Sequence, residues 1–321
     1  MSESWNLSER DVTPESARVD RRAVLKWLGL GTLAFASGAG LWWWRRRGTD
    51  AQVLGTGRAD GNFDGCFPAK RNPRFADVDR PISPEAPVAR YCNFYEFSAN
   101  KDVWRWVEPF QPVPWNVEVR GLVARPRVYD LDDLHREFPL EERIYRHRCV
   151  EAWAMVIPWT GFPLAALLKK AEPLPAARYV RFESFYRPDE ASRQRSDRLP
   201  WPYTEGLRLA EATNELAFIA TGMYGHPLLK QHGAPVRLVV PWKYGFKSAK
   251  SIVRIELTAD RPATFWNVLA PHEYGFEANV EPDVPHPRWR QEQERMLGTD
   301  EIRPTLLYNG YSEWVAHLYR A

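Results

Sequence analysis

Between Trp115 and Gly121 the chain reads Trp-Asn-Val-Glu-Val-Arg-Gly, apolar and polar by turns, and this period of two predicts a strand. After a prolyl turn the period changes. Leu131, Leu134 and Phe138 recur at helical spacing behind Asp130, which predicts a helix over residues 130–138 with Asp130 as its N-cap. A strand is predicted to run from there into Cys149. Gly161 precedes a second helical pattern, Phe162 to Ala171, with Leu164, Leu167 and Leu168 inward. Strands are predicted over 179–185 and 216–221, and a buried one over 235–241. Tyr91 to Phe97 alternates bulky and polar residues, as a strand or an extended loop does. Strands and helices mix without regular alternation, which predicts an α+β fold and not a doubly wound sheet.

The N-terminal residues follow a different pattern. Residues 1–20 are polar and predicted to be disordered, and Arg21-Arg-Ala-Val-Leu-Lys26 matches a twin-arginine export signal. The uncharged run Trp27–Trp44 reaches the lower range of a spanning helix, about 17 to 25 residues, and its terminal tryptophans suit an interfacial belt. Ala34-Phe-Ala36 offers a cleavage pattern, whereas Arg45 to Arg47 would sit outside against the positive-inside tendency, so a cleaved leader and an uncleaved anchor both stand. Gly29 to Ala34 imitates a dinucleotide fingerprint but follows no strand, and is set aside. Residues 1–47 therefore form an export or anchor segment. Residues 48–90, rich in Gly, Pro, Asp and Arg, are predicted to be a linker wrapping the body, which occupies 91–321.

A chain of 321 residues can bury a sizeable core. Its net charge of +3 comes from the first 47 residues, with eight Lys and Arg against five Asp and Glu; the remainder carries 36 of each sign. A neutral body excludes a nucleic-acid partner, which requires a basic excess. Fifteen tryptophans and 27 prolines point to aromatic-rich surfaces joined by ordered loops. Three cysteines, Cys66, Cys92 and Cys149, occur without C-x-x-C or C-x-x-C-H, so zinc ribbons, thioredoxin chemistry and c-type haem attachment lack their signals. A Cys66–Cys92 disulfide is open in an oxidising compartment.

Candidate chemistry centres on Arg143-Ile-Tyr-Arg-His-Arg-Cys-Val-Glu-Ala-Trp153. Arg146, His147 and Arg148 precede Cys149, and nearby cations are expected to lower its pKa below the ordinary value of about 8.5. A thiolate serves as a nucleophile or as a soft metal ligand. Glu151, two residues on, points to the same side if the segment is extended, and could orient a metal-bound water or relay a proton. Gly233 to Arg237 and Phe246 to Ser251 combine cationic side chains with small residues that let backbone N–H groups approach an anion.

The segments YCNFYEF from Tyr91, FPLEERIYRHRCVEAWAMVIPWTGFPL from Phe138, YVRFES from Tyr179, GAPVRLVVPWKYGFKSAKSI from Gly233, WNVLAPHEYGF from Trp266 and PTLLYNGY from Pro304 resemble the catalytic subunit of the bacterial periplasmic protein-methionine-sulfoxide reductases. The resemblance covers Tyr91 to the C-terminus, in order. It implies a sulfite-oxidase-type molybdopterin fold with mixed sheets and short helices. It also implies a Mo-molybdopterin cofactor with one pterin dithiolene per molybdenum, and Cys149 as the metal's protein ligand. Asn93 and Glu151 are implied as catalytic partners of Cys149. Cofactor contacts are implied for Cys92, Asn93, Tyr95, Glu96, Ser184, His232, Arg237, Ser248, Ala249 and Lys250. Three positions depart from the family pattern: Cys92 and His232 stand where asparagines are usual, and Ser184 where a threonine is usual.

The resemblance further implies reduction of methionine sulfoxide, free or in oxidised periplasmic proteins, by a monomeric subunit supplied with electrons by a membrane-bound haem partner. Trp242 or Tyr244 is a candidate to receive the methionine side chain. Rival readings are a sulfite dehydrogenase of the same fold using Arg146, Arg148 and Arg237, a cysteine hydrolase with His147 or His232 as base, and a non-catalytic envelope-binding protein.

Overall fold

The structure, a computed structural model, describes residues 49–57 and 65–320. The export or anchor segment lies outside the described residues. Two sheets organise the remainder. The first has five strands in the order β2-β1-β10-β5-β6: β1 (Asn116–Gly121), β2 (Arg127–Asp130), β5 (Tyr179–Ser184), β6 (Thr204–Arg208) and β10 (Ile252–Thr258). The β1–β10 pair is parallel and the others antiparallel. One face buries Val117, Val119, Val180, Phe182, Ile255 and Leu257. The other carries cross-strand ion pairs such as Arg254–Glu118 (2.7 Å) and Arg181–Glu256 (3.1 Å), as the period of two dictates.

The second sheet is built round β4 (Trp153–Pro163), which pairs with β3 (Glu141–Arg148), β7 (Phe218–Met223) and β11 (Gln293–Met296). β8 (His226–Pro227) and β9 (Arg237–Val239) extend it beyond β7, and β12 (Ile302–Pro304) beyond β11. Ten of the eleven β4 residues are buried, so this strand is apolar on both faces and shows no alternation.

Short helices cover the sheets. α1 (Asp50–Thr56) begins at a capping box between Thr49 and Gln52, and α2 is Glu85–Arg90. Both fall in the stretch expected to lack a period, and Val53 and Ala89 pack with Trp104 and Leu229. α3 (Leu131–Glu137) is capped by Asp130, whose side chain accepts from the Asp133 N–H at 2.7 Å. Phe138 behind it stacks on Phe162 with ring centroids 4.6 Å apart. α4 (Leu164–Ala171) buries Leu164, Leu167 and Leu168. It starts two residues later than the pattern predicts, because Phe162 and Pro163 still belong to β4. Tyr91–Phe97 is an irregular loop with a single bridge, Phe94 to Ser98. Among the described residues no helix is long and apolar enough to cross a membrane.

Candidate active site

β3 delivers Cys149 into the turn that joins it to β4. The Cys149 N–H donates to the Trp153 carbonyl (2.9 Å) and the Ala152 N–H to the Cys149 carbonyl (3.1 Å). Ala152 sits at φ 62°, a left-handed conformation that a residue with a Cβ adopts at a cost. The turn, not an extended segment, folds Glu151 back until its Oε2 lies 3.5 Å from Cys149 Sγ.

Alternation along β3 separates the cations from the thiol. His147 lines the same cavity as Cys149, whereas Arg146 reaches Asp79 (2.6 Å) on the other side. Arg148, fully buried, faces Glu294 (3.2 Å) and Gln291 Oε1 (2.9 Å) and donates to the Cys149 backbone carbonyl. The arginines therefore do not activate the sulfur. Burial pushes the Cys149 thiol far up and Glu151 adds to the rise, with Lys101 and Arg148 only opposing it, which overturns the expected lowering. His147 and His232 are pushed down to about 3 by burial and by Arg237 and Lys250, so both are neutral rings at pH 7.

Glu151 is clamped through one oxygen. Its Oε2 accepts from Asn93 Nδ2 (2.9 Å), Trp153 Nε1 (3.1 Å) and Lys101 Nζ (2.5 Å). Lys101 Nζ also donates to Asn93 Oδ1, which aims the amide Nδ2 at Cys149 Sγ, 3.7 Å away. Burial raises the Glu151 carboxyl, yet Lys101, Asn93 and Trp153 together outweigh it and hold it below the ordinary carboxylate range. Lys101 and Trp153 were absent from the sequence-based candidates. The carboxylate they hold is 151, fifty residues from Lys101 in the chain.

These groups open onto a cavity lined by residues of the second sheet and the 91–97 loop. Its aromatic and thioether lining includes Trp153, Met155, Tyr203, Trp266 and Tyr274, with Trp266 and Tyr274 5.0 Å apart and Tyr95 against Trp266 at 4.9 Å. Elsewhere it gathers donors without acceptors. Arg237 is buried and donates only to the carbonyls of His232 (2.8 Å), Leu238 (3.3 Å) and Ser248 (3.4 Å). Lys250 reaches the Asn93 carbonyl, and neither cation meets a carboxylate among the described residues. Burial lowers Arg237 to about 10 and Lys250 to about 8, the signature of charges lacking a counter-ion. Neither ring nitrogen of buried His232 meets a side-chain partner among the described residues, and its nearest backbone acceptor is at Val88. Close approach is built in. A Cβ on Gly233 (φ +90°) would stand 2.5 Å from Lys250 Cγ, and one on Gly245 2.6 Å from His147 Nε2.

The remaining candidates are placed as follows. Cys92 lines the cavity, its buried Sγ donating to the Gln231 carbonyl (3.4 Å); Cys66 lies beside His135 Nδ1 (3.5 Å), and no disulfide joins them. Glu96 lines the cavity with its carboxyl pushed up to about 7 by burial, and Ser248 lines it too. Ser184 and Ala249 stand behind the wall: Ser184 Oγ donates to the Lys250 carbonyl (2.6 Å), and the Ala249 carbonyl accepts from Leu238 (2.9 Å). Lys247 turns away to buried Glu205 (2.7 Å) and supplies no anion donor. Trp242 and Tyr244, expected at the substrate, are not cavity residues; Trp242 Nε1 bonds Tyr319 Oη (2.8 Å).

Two thiols, Cys149 and Cys92, thus line one cavity with two cations, Arg237 and Lys250, that meet no carboxylate among the described residues, a donor set suited to a phosphorylated, sulfur-rich metal cofactor. The chain belongs to the oxidoreductase molybdopterin-binding domain family, whose model matches residues 105–266. The α+β architecture is the sulfite-oxidase-type fold of that family, and its cofactor is Mo-molybdopterin. Among solved structures the chain is similar to the sulfane dehydrogenase SoxCD from Paracoccus pantotrophus, with 21% identity over 46% of this chain and 38% of that one, and a TM-score of 0.39. The match thus spans well under half of that protein's chain.

The residues present fit the cofactor. Cys149 offers one soft sulfur, while Arg237, Lys250 and the His232 ring offer the donors that a terminal phosphate needs. Replacing Arg237 with glutamine, which removes one buried charge, is expected to weaken cofactor retention by about 2 to 5 kcal/mol. Pterin content per chain after dialysis checks this.

Proposed function

We propose that the protein reduces methionine sulfoxide, free or within envelope proteins, to methionine. One observation carries the reading: Arg146 and Arg148, the arginines next to Cys149 in the chain, pair with Asp79 and Glu294, while Glu151 beside the sulfur is neutralised by Lys101 and Trp153, Met155, Trp266 and Tyr274 line the cavity. Such a lining suits a neutral sulfoxide with an apolar stem and offers no arginine cluster to a sulfite dianion. Neither His147 nor His232 hydrogen-bonds the Cys149 sulfur, whose contacts are Asn93 Nδ2 and the Glu151 carboxylate and N–H, so the hydrolase reading lacks its base.

The balanced reaction is sulfoxide plus two electrons and two protons giving thioether and water. Bound molybdenum supplies two-electron oxygen-atom exchange. The chain's own groups do the rest. Trp266, Tyr274 and Tyr95 hold the substrate's apolar stem and exclude water. Asn93 Nδ2 offers a hydrogen bond beside the sulfur, and the Glu151 carboxylate, fixed through Oε2, lines the cavity beside Cys149 as an acceptor. Cys149 is the proposed ligand. The twin-arginine match at Arg21-Arg22 supports a periplasmic location, and the resemblance to the reductase family supports electron delivery by a membrane haem partner.

The test is turnover by the loaded enzyme with reduced viologen and methionine sulfoxide, alongside sulfite with an electron acceptor. Viologen oxidation that needs the sulfoxide, at about two one-electron donors per thioether formed, is the expected result. Turnover of sulfite alone would replace this reading with the dehydrogenase.

A further inference from the structure

The turn that carries Cys149 is gripped by one segment from outside the cavity. Val150 lines the cavity, and its carbonyl accepts from Trp289 Nε1 (2.7 Å) and from Gln291 Nε2 (2.9 Å). The Ala152 carbonyl accepts from the Arg295 N–H (2.9 Å). Gln291 Oε1 accepts in turn from Arg148 Nη2 (2.9 Å), and the same guanidinium donates to the Cys149 carbonyl. Residues 289–295 thus reach the carbonyls of Val150 and Ala152 directly and that of Cys149 through Arg148. Trp289, Gln291 and Arg295 do not line the cavity, and all three lie beyond the family-matched residues 105–266.

The turn requires such a grip. Ala152, at φ 62°, adopts a conformation that persists only where its surroundings over-determine it. Val150 is buried, and a buried carbonyl left without a donor is costly, so the donors decide which way this peptide faces. Both side-chain donors are themselves fixed. Gln291 is 1% exposed, and the Trp289 ring stacks on buried His286 with centroids 3.8 Å apart and planes 10° from parallel. The Val150 peptide is joined to Cys149 directly, so its orientation constrains the backbone from which Sγ projects.

We propose that Trp289 and Gln291 are positioning residues for Cys149, fixing through the Val150 carbonyl the direction in which its sulfur is presented. The inference rests on Cys149 as the metal's ligand and deepens that reading. The two donors share one acceptor, so each covers for the loss of the other. Removing both leaves the Val150 carbonyl without a side-chain donor, and it deprives Arg148 of the Gln291 Oε1 atom as well.

The experiment compares cofactor-loaded wild type with Trp289→Phe, which keeps a ring on His286 and loses the N–H, with Gln291→Met, with the double variant, and with Arg290→Gln, an exposed control from the same segment. Two signals are read per bound molybdenum: the sulfur-to-molybdenum charge-transfer absorption, and electron paramagnetic resonance after one-electron reduction. Neither needs a substrate, so a failure of the sulfoxide reading leaves the test standing. The turnover number and KM follow for whichever substrate the wild type accepts. Each single variant is expected to lose about threefold in turnover number, the size of one hydrogen bond, with a small shift of both signals. The double variant is expected to lose about tenfold to a hundredfold at unchanged KM, as misplacing a reacting group by about an ångström does, with a larger shift in the same direction. Arg290→Gln should match the wild type. A double variant with wild-type signals and turnover per molybdenum overturns the proposal, even if its urea midpoint falls, because that is a purely structural role. If the double variant retains no molybdenum, two single variants with wild-type signals overturn it. Signals that are the same in Cys149→Ser as in the wild type overturn instead the ligand assignment on which the inference stands.

Discussion

Replacing Cys149 with serine is expected to remove turnover, by about a thousandfold or more, while leaving the fold in place. The reason lies in what the side chain touches. Cys149 is 5% exposed, and the neighbours of its Sγ are Asn93 Nδ2, Glu151 Oε2 and the Glu151 N–H. A serine oxygen fills the same space and keeps hydrogen bonds to these groups, but it is a hard ligand where molybdenum calls for a soft thiolate. The turn itself depends on backbone bonds: Cys149 N–H to Trp153, Ala152 N–H to Cys149, and Arg148 to the Cys149 carbonyl. Circular dichroism and thermal unfolding should therefore match the wild type. Pterin content should fall less than activity, because Arg237, Lys250 and His232, the proposed donors to the phosphate end, are left in place.

Lys243→Met carries the largest expected loss of stability, about 3 to 5 kcal/mol, by stranding a buried carboxylate. Lys243 Nζ binds Glu211 Oε1 (2.6 Å), Asn279 Oδ1 (2.8 Å) and the Glu277 carbonyl (2.7 Å), and the side chains of Lys243 and Glu211 are 0% and 1% exposed. Tyr319 Oη donates to the same Glu211 oxygen at 2.6 Å, so the knot ties the C-terminal residues to the strand region beside the cofactor loops. Removing Lys243 leaves buried Glu211 with Tyr319 Oη, the Arg208 N–H (2.9 Å) and a longer pair to the Arg208 guanidinium (3.6 Å), and without its close cation. The companion Lys243→Met/Glu211→Leu should recover much of the loss, since a buried pair replaced by apolar groups is close to neutral. Exposed Lys169→Met should stay within about 0.5 kcal/mol of the wild type. Urea midpoints of the four loaded proteins decide this.

Much of this molecule was legible before its structure, and the gaps have physical causes. Asp130 and the Leu131-Leu134-Phe138 spacing gave α3 with its cap, because a helix on a surface must show one apolar stripe. β4 gave no such sign. A central strand buried on both faces has no alternation to read, and its eleven residues hid between two recognisable neighbours. α1 carried its capping box, Thr49 to Gln52, in plain sight within a stretch judged irregular.

The site shows the same division. Cys149, Asn93, Glu96, His232, Arg237 and Lys250 do converge on one cavity. The charge environment of the thiol was misread although the signal existed. In a strand, Arg146 and Arg148 share a face and His147 takes the other, so alternation alone separates both arginines from the cavity. Lys101 had no sequence signal. Its role depends on a fold that brings residue 101 to residue 151, and only the closed loop after Phe97 shows it.

The central claim is that Cys149 supplies the single protein sulfur to a molybdenum held by one pterin dithiolene. X-ray absorption at the molybdenum edge of the loaded wild type, set beside Cys149→Ser, tests it most directly. The account predicts about three sulfur neighbours per metal in the wild type, two from the pterin and one from the protein, and one fewer in the variant. An unchanged sulfur count in Cys149→Ser, or matured wild-type protein that contains no molybdenum, would contradict it.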